Sequence, residues 1–182
     1  EHDVKEVGVQ VILLVEDSIR FYSSYLPNMY KIIFKQSRDF MLEGLNEHQQ
    51  MLRLRGRPKI LLATNYEQAI QLYEKYKRNM LGIITDMSYP RSGDKDKYAG
   101  VKLIEKIHQD DPYMPVLLQS AEEESKKLAK RLKVGFIDKN SKTISVELKN
   151  FIREYFAFGD FVFTNPDTGE EIERASDLKD MQ

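Results

Sequence analysis

Four short apolar runs of the chain end in polar side chains of the kind that bind metal ions or phosphoryl groups. These side chains are Glu16 and Asp17 after VILLV, Asp86 after LGIIT, Ser120 after PVLLQ, and Asp138 and Lys139 after VGFI. Two unit charges about 4 Å apart repel by about 4 kcal/mol at an effective dielectric constant of 20, so neighbouring carboxylates require a cation or a raised pKa. Oxygen ligands without His or Cys favour a hard ion, and Mg²⁺ fits this donor set best.

A carboxylate beside Mg²⁺ can attack a phosphoryl group, while the metal ion and an ammonium group balance the charge on the equatorial oxygens. The hydroxyl of Ser120 can then donate a hydrogen bond to a new phosphoryl oxygen. That contact would move its loop and convert a local covalent event into a change of surface. The residue types therefore predict phosphoryl transfer to an aspartate.

Five apolar runs predict strands that are buried on both faces. They cover residues 9–15, 59–63, 81–85, 115–119 and 134–137. Helical periodicity separates the later runs, over 66–79, 99–109 and 121–132, and a last helix runs from Ser141 towards Phe156. Strands that alternate with helices predict an α/β fold, a doubly wound five-stranded parallel sheet of the flavodoxin-like type. Because ligands bind outside the carboxyl ends of such strands, the polar residues should meet at one edge.

Local signals predict where several of these helices begin and end. Thr64 and Glu67 have the spacing of a capping box before the second helix, and Ser141 can cap the last one. The dipeptide Asp111-Pro112 should end the helix that precedes it.

The first crossover, over residues 18–57, is much longer than the dozen or so residues that a crossover needs. Its apolar residues recur on one helical face and predict a long first helix, which Pro27 should kink or restart. The helix either packs on its own domain or serves as an interaction helix, for example in a homodimer. Its spacing is nearer to that of a straight helix than to a strict heptad, which disfavours a coiled coil.

The sequence predicts one α/β domain over 9–156, with a polar lead-in over 1–8. Residues 157–182 contain a short strand, a Pro-Asp-Thr-Gly turn and a polar helix start, typical of a linker or the start of another domain. The first residue is Glu1 rather than Met, so we expect a fragment of a longer polypeptide.

The composition excludes several classes of protein. With 28 Lys and Arg against 29 Asp and Glu, the formal net charge of -1 shows no footprint for nucleic acid. The chain has no cysteine, which excludes disulfides and thiolate sites and favours a cytoplasmic location. No apolar run approaches the roughly 18 residues of a membrane span. The basic residues between Arg53 and Lys59 are interpreted as a solvated helix end rather than as a nucleic-acid surface.

The motifs at the strand ends, LLVEDS, GIITDM, VLLQSA and FIDKN, resemble the receiver domain of bacterial response regulators. The resemblance covers residues 9–155. It implies a signalling domain rather than an enzyme, with Mg²⁺ as cofactor. The implied partners are a histidine kinase or histidine phosphotransfer protein and an output module in the same longer chain.

The resemblance also implies a role for each matched residue. The roles are phosphoacceptor for Asp86, metal ligands for Glu16, Asp17, Asp86 and the backbone carbonyl of Ser88, phosphoryl contacts for Ser120 and Lys139, and a switching aromatic ring for Phe136.

Three features depart from the receiver pattern. Asn140 replaces the usual Pro after the Lys, the segment after Asp86 is longer than usual, and the first crossover carries its insertion. A pseudo-receiver that only binds other proteins is therefore an alternative. An Asp-nucleophile phosphatase is disfavoured, because Ser88 stands where such enzymes have a second Asp.

Four of these residues also have a plainer interpretation. Glu16 and Asp17 could cap the first helix, since acids favour a helix N-terminus. Ser120 is of a type common where strands turn into helices, and Phe136 could simply be core. A weaker resemblance, carried by the long first helix, FIDKNS and the tail FGDFVFTNPDTGEEIERASDL, is to the receiver region of phosphoenolpyruvate synthase-like, pyruvate phosphate dikinase-type proteins.

Overall fold

The computed structural model describes residues 9–41, 58–155, 161–164 and 171–175, with side chains described for 9–35 and 58–155. The elements in chain order are β1 (Val11–Val15), α1 (Ile19–Met41), β2 (Lys59–Ala63), α2 (Tyr66–Tyr76) with a 3₁₀ turn (Lys77–Asn79), β3 (Met80–Asp86), β4 (Tyr89–Arg91), β5 (Asp94–Asp96), α3 (Ala99–Asp110), β6 (Val116–Ser120), α4 (Glu123–Leu132), β7 (Gly135–Asp138), α5 (Ile144–Tyr155), β8 (Phe161–Thr164) and β9 (Glu171–Ala175).

Five strands form one parallel sheet in the order β2-β1-β3-β6-β7. The order reverses at β1, which places a topological switch point between β1 and β3. These five strands are the five that the apolar runs predict, with ends that differ by no more than two residues. The doubly wound α/β prediction is confirmed.

Alternate side chains of the strands enter two apolar layers, one on each face of the sheet. On one face α1 and α5 cover Ile12, Leu14 and Ile84. On the other, α2, α3 and α4 cover a layer that includes Leu13 and Ile83. Burial of each such side chain stabilises the fold by about 1.5–3 kcal/mol, and the two layers together hold the strand ends in register.

The predicted capping box at Thr64 and Glu67 is wrong by one residue. Asn65 caps α2, and its side-chain oxygen accepts a hydrogen bond of 2.9 Å from the amide of Gln68. The Gln68 side chain reaches back and accepts from the Thr64 amide at 3.0 Å. Asn is at least as good a cap as Thr, and the helix therefore begins at Tyr66. The Glu67 carboxylate is left for another partner, the amide of Ser92.

Of the other two end signals, the Asp111-Pro112 stop is confirmed, whereas the predicted Ser141 cap is wrong. Helix α3 ends at Asp110, directly before the predicted Asp111-Pro112 stop. Helix α5 begins at Ile144, three residues after Ser141. The Ser141 hydroxyl accepts from the Thr143 amide and donates to Glu147 in the first turn, so it ties this turn to the preceding loop rather than capping its amides.

Of the two effects predicted for Pro27, a kink or a restart, the restart is wrong, because helix α1 continues through this residue. Tyr25, Met29 and Ile33 lie on its buried face. The Asn28 side-chain amide donates to the Ser145 hydroxyl in α5 at 2.9 Å. This first part of the crossover therefore packs on its own domain, and residues 42–57 of the predicted long helix lie outside the described residues.

The segment after β3, which the sequence indicates only as a long polar loop, contains a short antiparallel hairpin of β4 and β5. Ser92 and Gly93 form its turn with φ of 55° and 92°, and two positive φ values are typical of the tightest hairpin turns. Tyr89 anchors the hairpin from within the core, where its hydroxyl accepts a hydrogen bond of 3.2 Å from Thr85. The sequence conceals the hairpin because its second strand, Asp-Lys-Asp, has no alternating apolar residues.

The tail contains a second antiparallel hairpin, formed by β8 and β9. The short strand predicted there is confirmed. The polar helix start predicted after the turn is wrong over Glu171–Ala175, which form β9, because pairing with β8 extends this segment. The lead-in over 1–8, the Pro-Asp-Thr-Gly turn and residues 176–182 lie outside the described residues. Among the helices that the structure describes, none combines the length and hydropathy needed to cross a membrane.

Gly100, the second residue of α3, packs against the backbone at the end of β3. A Cβ atom at this position would lie 2.3 Å from the Asp86 carbonyl oxygen and 3.1 Å from the Met87 Cα. The Gly100 amide donates to the Met87 carbonyl at 3.0 Å, which holds the helix at this distance. Glycine is therefore required here by the close approach of two backbones.

We expect Gly100→Ala to lower the free energy of unfolding by about 1–3 kcal/mol, because the backbone must move to admit the methyl group. In an ordinary helix the same change stabilises by about 1 kcal/mol, so the sign of the change is diagnostic. Urea denaturation measures it, with Gln109→Ala at an exposed site of the same helix as control, expected within about 0.5 kcal/mol of wild type. A Gly100→Ala protein as stable as wild type would contradict the close packing.

Candidate metal and phosphoryl site

Three carboxylates converge at the carboxyl edge of the sheet. Glu16 and Asp17 follow β1 directly, and Asp86 is the last residue of β3, the neighbouring strand. One ligand oxygen from each of the three lies within 4.8 Å of the others. The parallel register of β1 and β3 therefore forms the cluster that the strand ends predict.

Glu16 is the most buried of the three, with 1% of the residue exposed. Burial raises the pKa of its carboxyl, the charge of Asp86 raises it further, and hydrogen bonding to Lys139 opposes both effects. Its Oε1 accepts from the Ser18 amide at 3.1 Å. Burial likewise raises the pKa of Asp86, against the lowering effect of Lys139, and Asp86 Oδ1 accepts from the Met87 amide at 2.7 Å.

Lys139, one residue beyond β7, supplies the cation that the cluster requires. Its Nζ lies 2.5 Å from Glu16 Oε2 and 2.9 Å from Asp86 Oδ2, with only 5% of the side chain exposed. The ammonium also lies 4.3 Å from the centre of the Phe21 ring, a favourable cation–π position. One cation thus bridges two buried carboxylates, and Asp17 adds a third acid beside them.

Asp17 is more exposed and has a different partner. Lys95 Nζ, in β5, lies 3.4 Å from Asp17 Oδ2. The sequence alone does not single out Lys95, which stands in an unpatterned run of charges. It does not single out Phe21 either, because nothing in its spacing distinguishes it from other apolar residues of α1. The unusual length of the segment after Asp86 is the signal that points towards Lys95.

Ser120 ends β6 at the same edge, and its backbone carbonyl accepts from the Lys139 amide at 3.0 Å. Its hydroxyl oxygen accepts hydrogen bonds from the Ser125 hydroxyl at 2.8 Å and the Glu122 amide at 3.1 Å. Ser120 is thus linked to the first turn of α4, and its own hydroxyl proton is available for another acceptor.

The two remaining predicted site residues are Ser88 and Phe136. Ser88 is half-buried, two residues beyond Asp86 on the connection to β4. Phe136 lies in β7 and packs, partly buried, against the apolar layer beneath α2, α3 and α4. Its observed position is that of a residue at the border of the core.

Asn140 explains how the loop after β7 is shaped without the usual Pro. Its amide donates to the Asp138 side chain at 2.7 Å, and the Ser141 amide donates to the Asp138 carbonyl at 3.0 Å. These bonds form an Asx turn, in which a short acidic side chain directs the backbone. The loop therefore uses an amide hydrogen that Pro lacks, and Lys139 still reaches the carboxylates.

The donor set of the cluster fits a hard divalent cation. All three side chains offer oxygen, and no His or Cys is present in the group. Carboxylates with additional waters or carbonyls are the usual ligands of Mg²⁺ and related ions. The cluster could therefore hold a metal ion, next to a buried ammonium group that can contact the oxygens of an anion.

No protein-family model matches the chain, and no curated protein matches it. Solved receiver domains do match in structure, at 14–18% sequence identity. A receiver domain protein from Clostridium thermocellum has 18% identity and a TM-score of 0.51, with 81% of this chain and 94% of that one covered. The chemotaxis protein CheY4 of Vibrio cholerae has 14% identity and a TM-score of 0.53, with 81% and 98% covered.

The receiver domain of the sensor histidine kinase PA1611 from Pseudomonas aeruginosa has 15% identity and a TM-score of 0.55, with 82% of this chain and 99% of that one covered. The further resemblance to phosphoenolpyruvate synthase-like proteins has no support from these comparisons. The five-stranded parallel sheet with its flanking helices agrees with these matches. The chain therefore has the flavodoxin-like fold of response regulator receiver domains.

Proposed function

We propose that this chain is a phosphoacceptor receiver domain of a two-component or phosphorelay system, in which a phosphoryl group is transferred to Asp86 with the help of Mg²⁺. The observation that carries the proposal is the buried Lys139 ammonium between Glu16 and Asp86, beside a third carboxylate. A structural salt bridge needs only one acid, whereas phosphoryl transfer needs a nucleophile, a metal site and a cation together. The donor would be a histidine kinase, a histidine phosphotransfer protein or a small acyl phosphate.

Glu16, Asp17 and Asp86, with the backbone carbonyl of Ser88, would hold the ion. When bound, Mg²⁺ would neutralise charge on the transferring oxygens. The PA1611 receiver domain, whose structure has a magnesium ion coordinated in the active-site cleft, supports this assignment. The all-oxygen donor set of this chain supports it independently.

In the transfer, a carboxylate oxygen of Asp86 attacks phosphorus. The new O–P bond forms as the P–N bond to the donor histidine breaks, and the imidazole nitrogen keeps the electron pair. Lys139 is already within 2.9 Å of Asp86, so its ammonium can stabilise the charge on the equatorial oxygens with little movement.

The response would begin at Ser120. Its hydroxyl now accepts from Ser125 and the Glu122 amide, both at the start of α4. A hydrogen bond donated to a phosphoryl oxygen would draw Ser120 towards Asp86 and alter these contacts. The start of α4 would then shift, and Phe136, at the border of the core in the next strand, could repack into the space released.

We expect incubation with Mg²⁺ and acetyl phosphate to add the mass of one phosphoryl group, at Asp86. Beryllofluoride should move the amide resonances of Met87, Ser120 and Lys139 in NMR spectra. Asp86→Asn should show neither effect, whereas Asp94→Asn, an exposed acid of the neighbouring hairpin, should behave as wild type. Equal responses of wild type and Asp86→Asn would contradict the proposal, and a folded protein with no response would favour the pseudo-receiver alternative.

We expect Mg²⁺ to raise the free energy of unfolding by about 1.4 kcal/mol when the Mg²⁺ concentration is ten times its Kd. Asp17→Asn should weaken binding about tenfold or more, because even groups that only orient metal ligands contribute 10–100-fold. Isothermal titration calorimetry and thermal unfolding measure the two effects. Unchanged metal affinity in Asp17→Asn would remove this residue from the metal site.

We also expect the stabilisation by Mg²⁺ to increase with pH. Burial raises the pKa of both Glu16 and Asp86, so in the metal-free protein they bind protons more tightly when folded than when unfolded. Their contribution to stability is therefore complete below the unfolded pKa values and is lost as pH rises through the folded ones. Mg²⁺ requires the ionised forms, so its increment to Tm should disappear as pH falls through the same range. A Tm increment independent of pH would contradict this linkage.

A further inference from the structure

The β4–β5 hairpin brings a second cation to the edge of the carboxylate cluster. Lys95 Nζ lies 3.4 Å from Asp17 Oδ2, and Lys139 pairs with Glu16 and Asp86 instead. Asp17 has 21% of its side chain exposed, more than either of the other two acids. Within the described residues, the positive charge paired with Asp17 is thus Lys95, which belongs to the inserted β4–β5 hairpin.

The hairpin is held in place by contacts that do not involve Lys95. The Ser92 amide donates to Glu67 at 2.9 Å, and the Arg91 guanidinium lies 5.1 Å from the centre of the Tyr66 ring. Asp96 pairs with Lys102 of α3 at 2.6 Å. The backbone of Lys95 is therefore anchored on both sides.

The side chain of Lys95, by contrast, is 64% exposed. A long, solvated ammonium side chain on an anchored backbone can leave its partner at little cost, because exposed ion pairs contribute little to stability. Lys95 can therefore contact Asp17 or withdraw from it while the hairpin stays in place.

On this basis, and resting on the proposed metal site, we propose that Lys95 is a built-in competitor of the divalent metal ion at Asp17. An ion held by Asp17 would place two positive charges beside the ammonium, so the ammonium must withdraw before the ion binds at full strength. Thermodynamic linkage makes this effect reciprocal. If bound metal weakens the contact between Lys95 and Asp17 by a given factor, the contact weakens metal binding by the same factor. The inserted hairpin thereby sets the metal affinity of the site.

The effect should be modest and of defined sign. The free energies of exposed ion pairs are small, and the upper end of their usual range corresponds to about a two- to fivefold change in an equilibrium constant. We expect Lys95→Gln to bind Mg²⁺ about two- to fivefold more tightly than wild type at low salt. Lys95→Arg, which keeps the charge, should bind as wild type. The advantage of Lys95→Gln should shrink as salt screens the pair.

Lys97→Gln is the matched control. It removes the same charge from an exposed residue two positions further along the same segment. Mg²⁺ titrations of the whole chain, followed by calorimetry and by the amide resonances of Asp17 and Asp86, should rank Lys95→Gln tightest, with Lys97→Gln near wild type. A role for Lys95 in holding the loop predicts the opposite sign, because its loss would then weaken metal binding.

The outcomes separate this inference from the proposed function. If wild type binds Mg²⁺, Asp17→Asn loses it and Lys95→Gln binds no more tightly than Lys97→Gln, the inference is overturned and the metal site stands. If wild type and Asp17→Asn bind Mg²⁺ equally, Asp17 lies outside the metal site and the inference alone is overturned. If neither protein binds Mg²⁺, the proposed metal site is overturned together with the inference. The inference is supported if Lys95→Gln binds Mg²⁺ more tightly than wild type, while Lys95→Arg and Lys97→Gln bind as wild type.

Discussion

The ammonium group of Lys139, enclosed between Glu16 and Asp86, is the interaction on which the edge of this sheet depends. Two carboxylates this close and this buried would otherwise have to take up protons, since burial raises the pKa of both. Lys139 opposes this rise and so favours the ionised carboxylates in a place where water is largely excluded. The arrangement is costly to leave incomplete, because removing one member of a buried ion pair leaves an uncompensated charge. Such a buried ion pair is therefore weak evidence for a role in stability alone.

The same cation is tied by its own backbone to the element that would respond. The Lys139 amide bonds to the Ser120 carbonyl, and the Ser120 hydroxyl bonds to the first turn of α4. A change at Asp86 therefore has two short routes to α4, one through the strand pair β6–β7 and one through the hydroxyl. On the opposite side, Gly100 holds α3 against the Asp86 carbonyl, so the backbone of Asp86 has little freedom to move.

The sheet and most of the site follow from the sequence because both depend on local patterns. An apolar run that ends abruptly in Glu16-Asp17 or in Asp86 predicts a buried strand. The same run also predicts the edge of the sheet at which the acids lie. The position of the α2 cap at Asn65 does not follow from a local pattern, since Thr64 and Asn65 are both good caps and tertiary packing decides between them. The contact between Lys95 and Asp17 could not be predicted for another reason. Asp17 lies 78 positions from Lys95 and is reached through a hairpin whose strands carry no periodic signal.

The ion pair between Lys139 and Glu16 joins residues 123 positions apart. Contacts of such separation form only after much of the chain has lost its conformational freedom, and they slow folding relative to local contacts. The first strand emerges from synthesis with its two acids long before the cation that balances them. Until β7 joins the sheet, the edge carries unbalanced carboxylates, which oppose close packing of β1 against β3. Completion of the site and completion of the fold are therefore one event, and a chain that stops short of β7 would lack both.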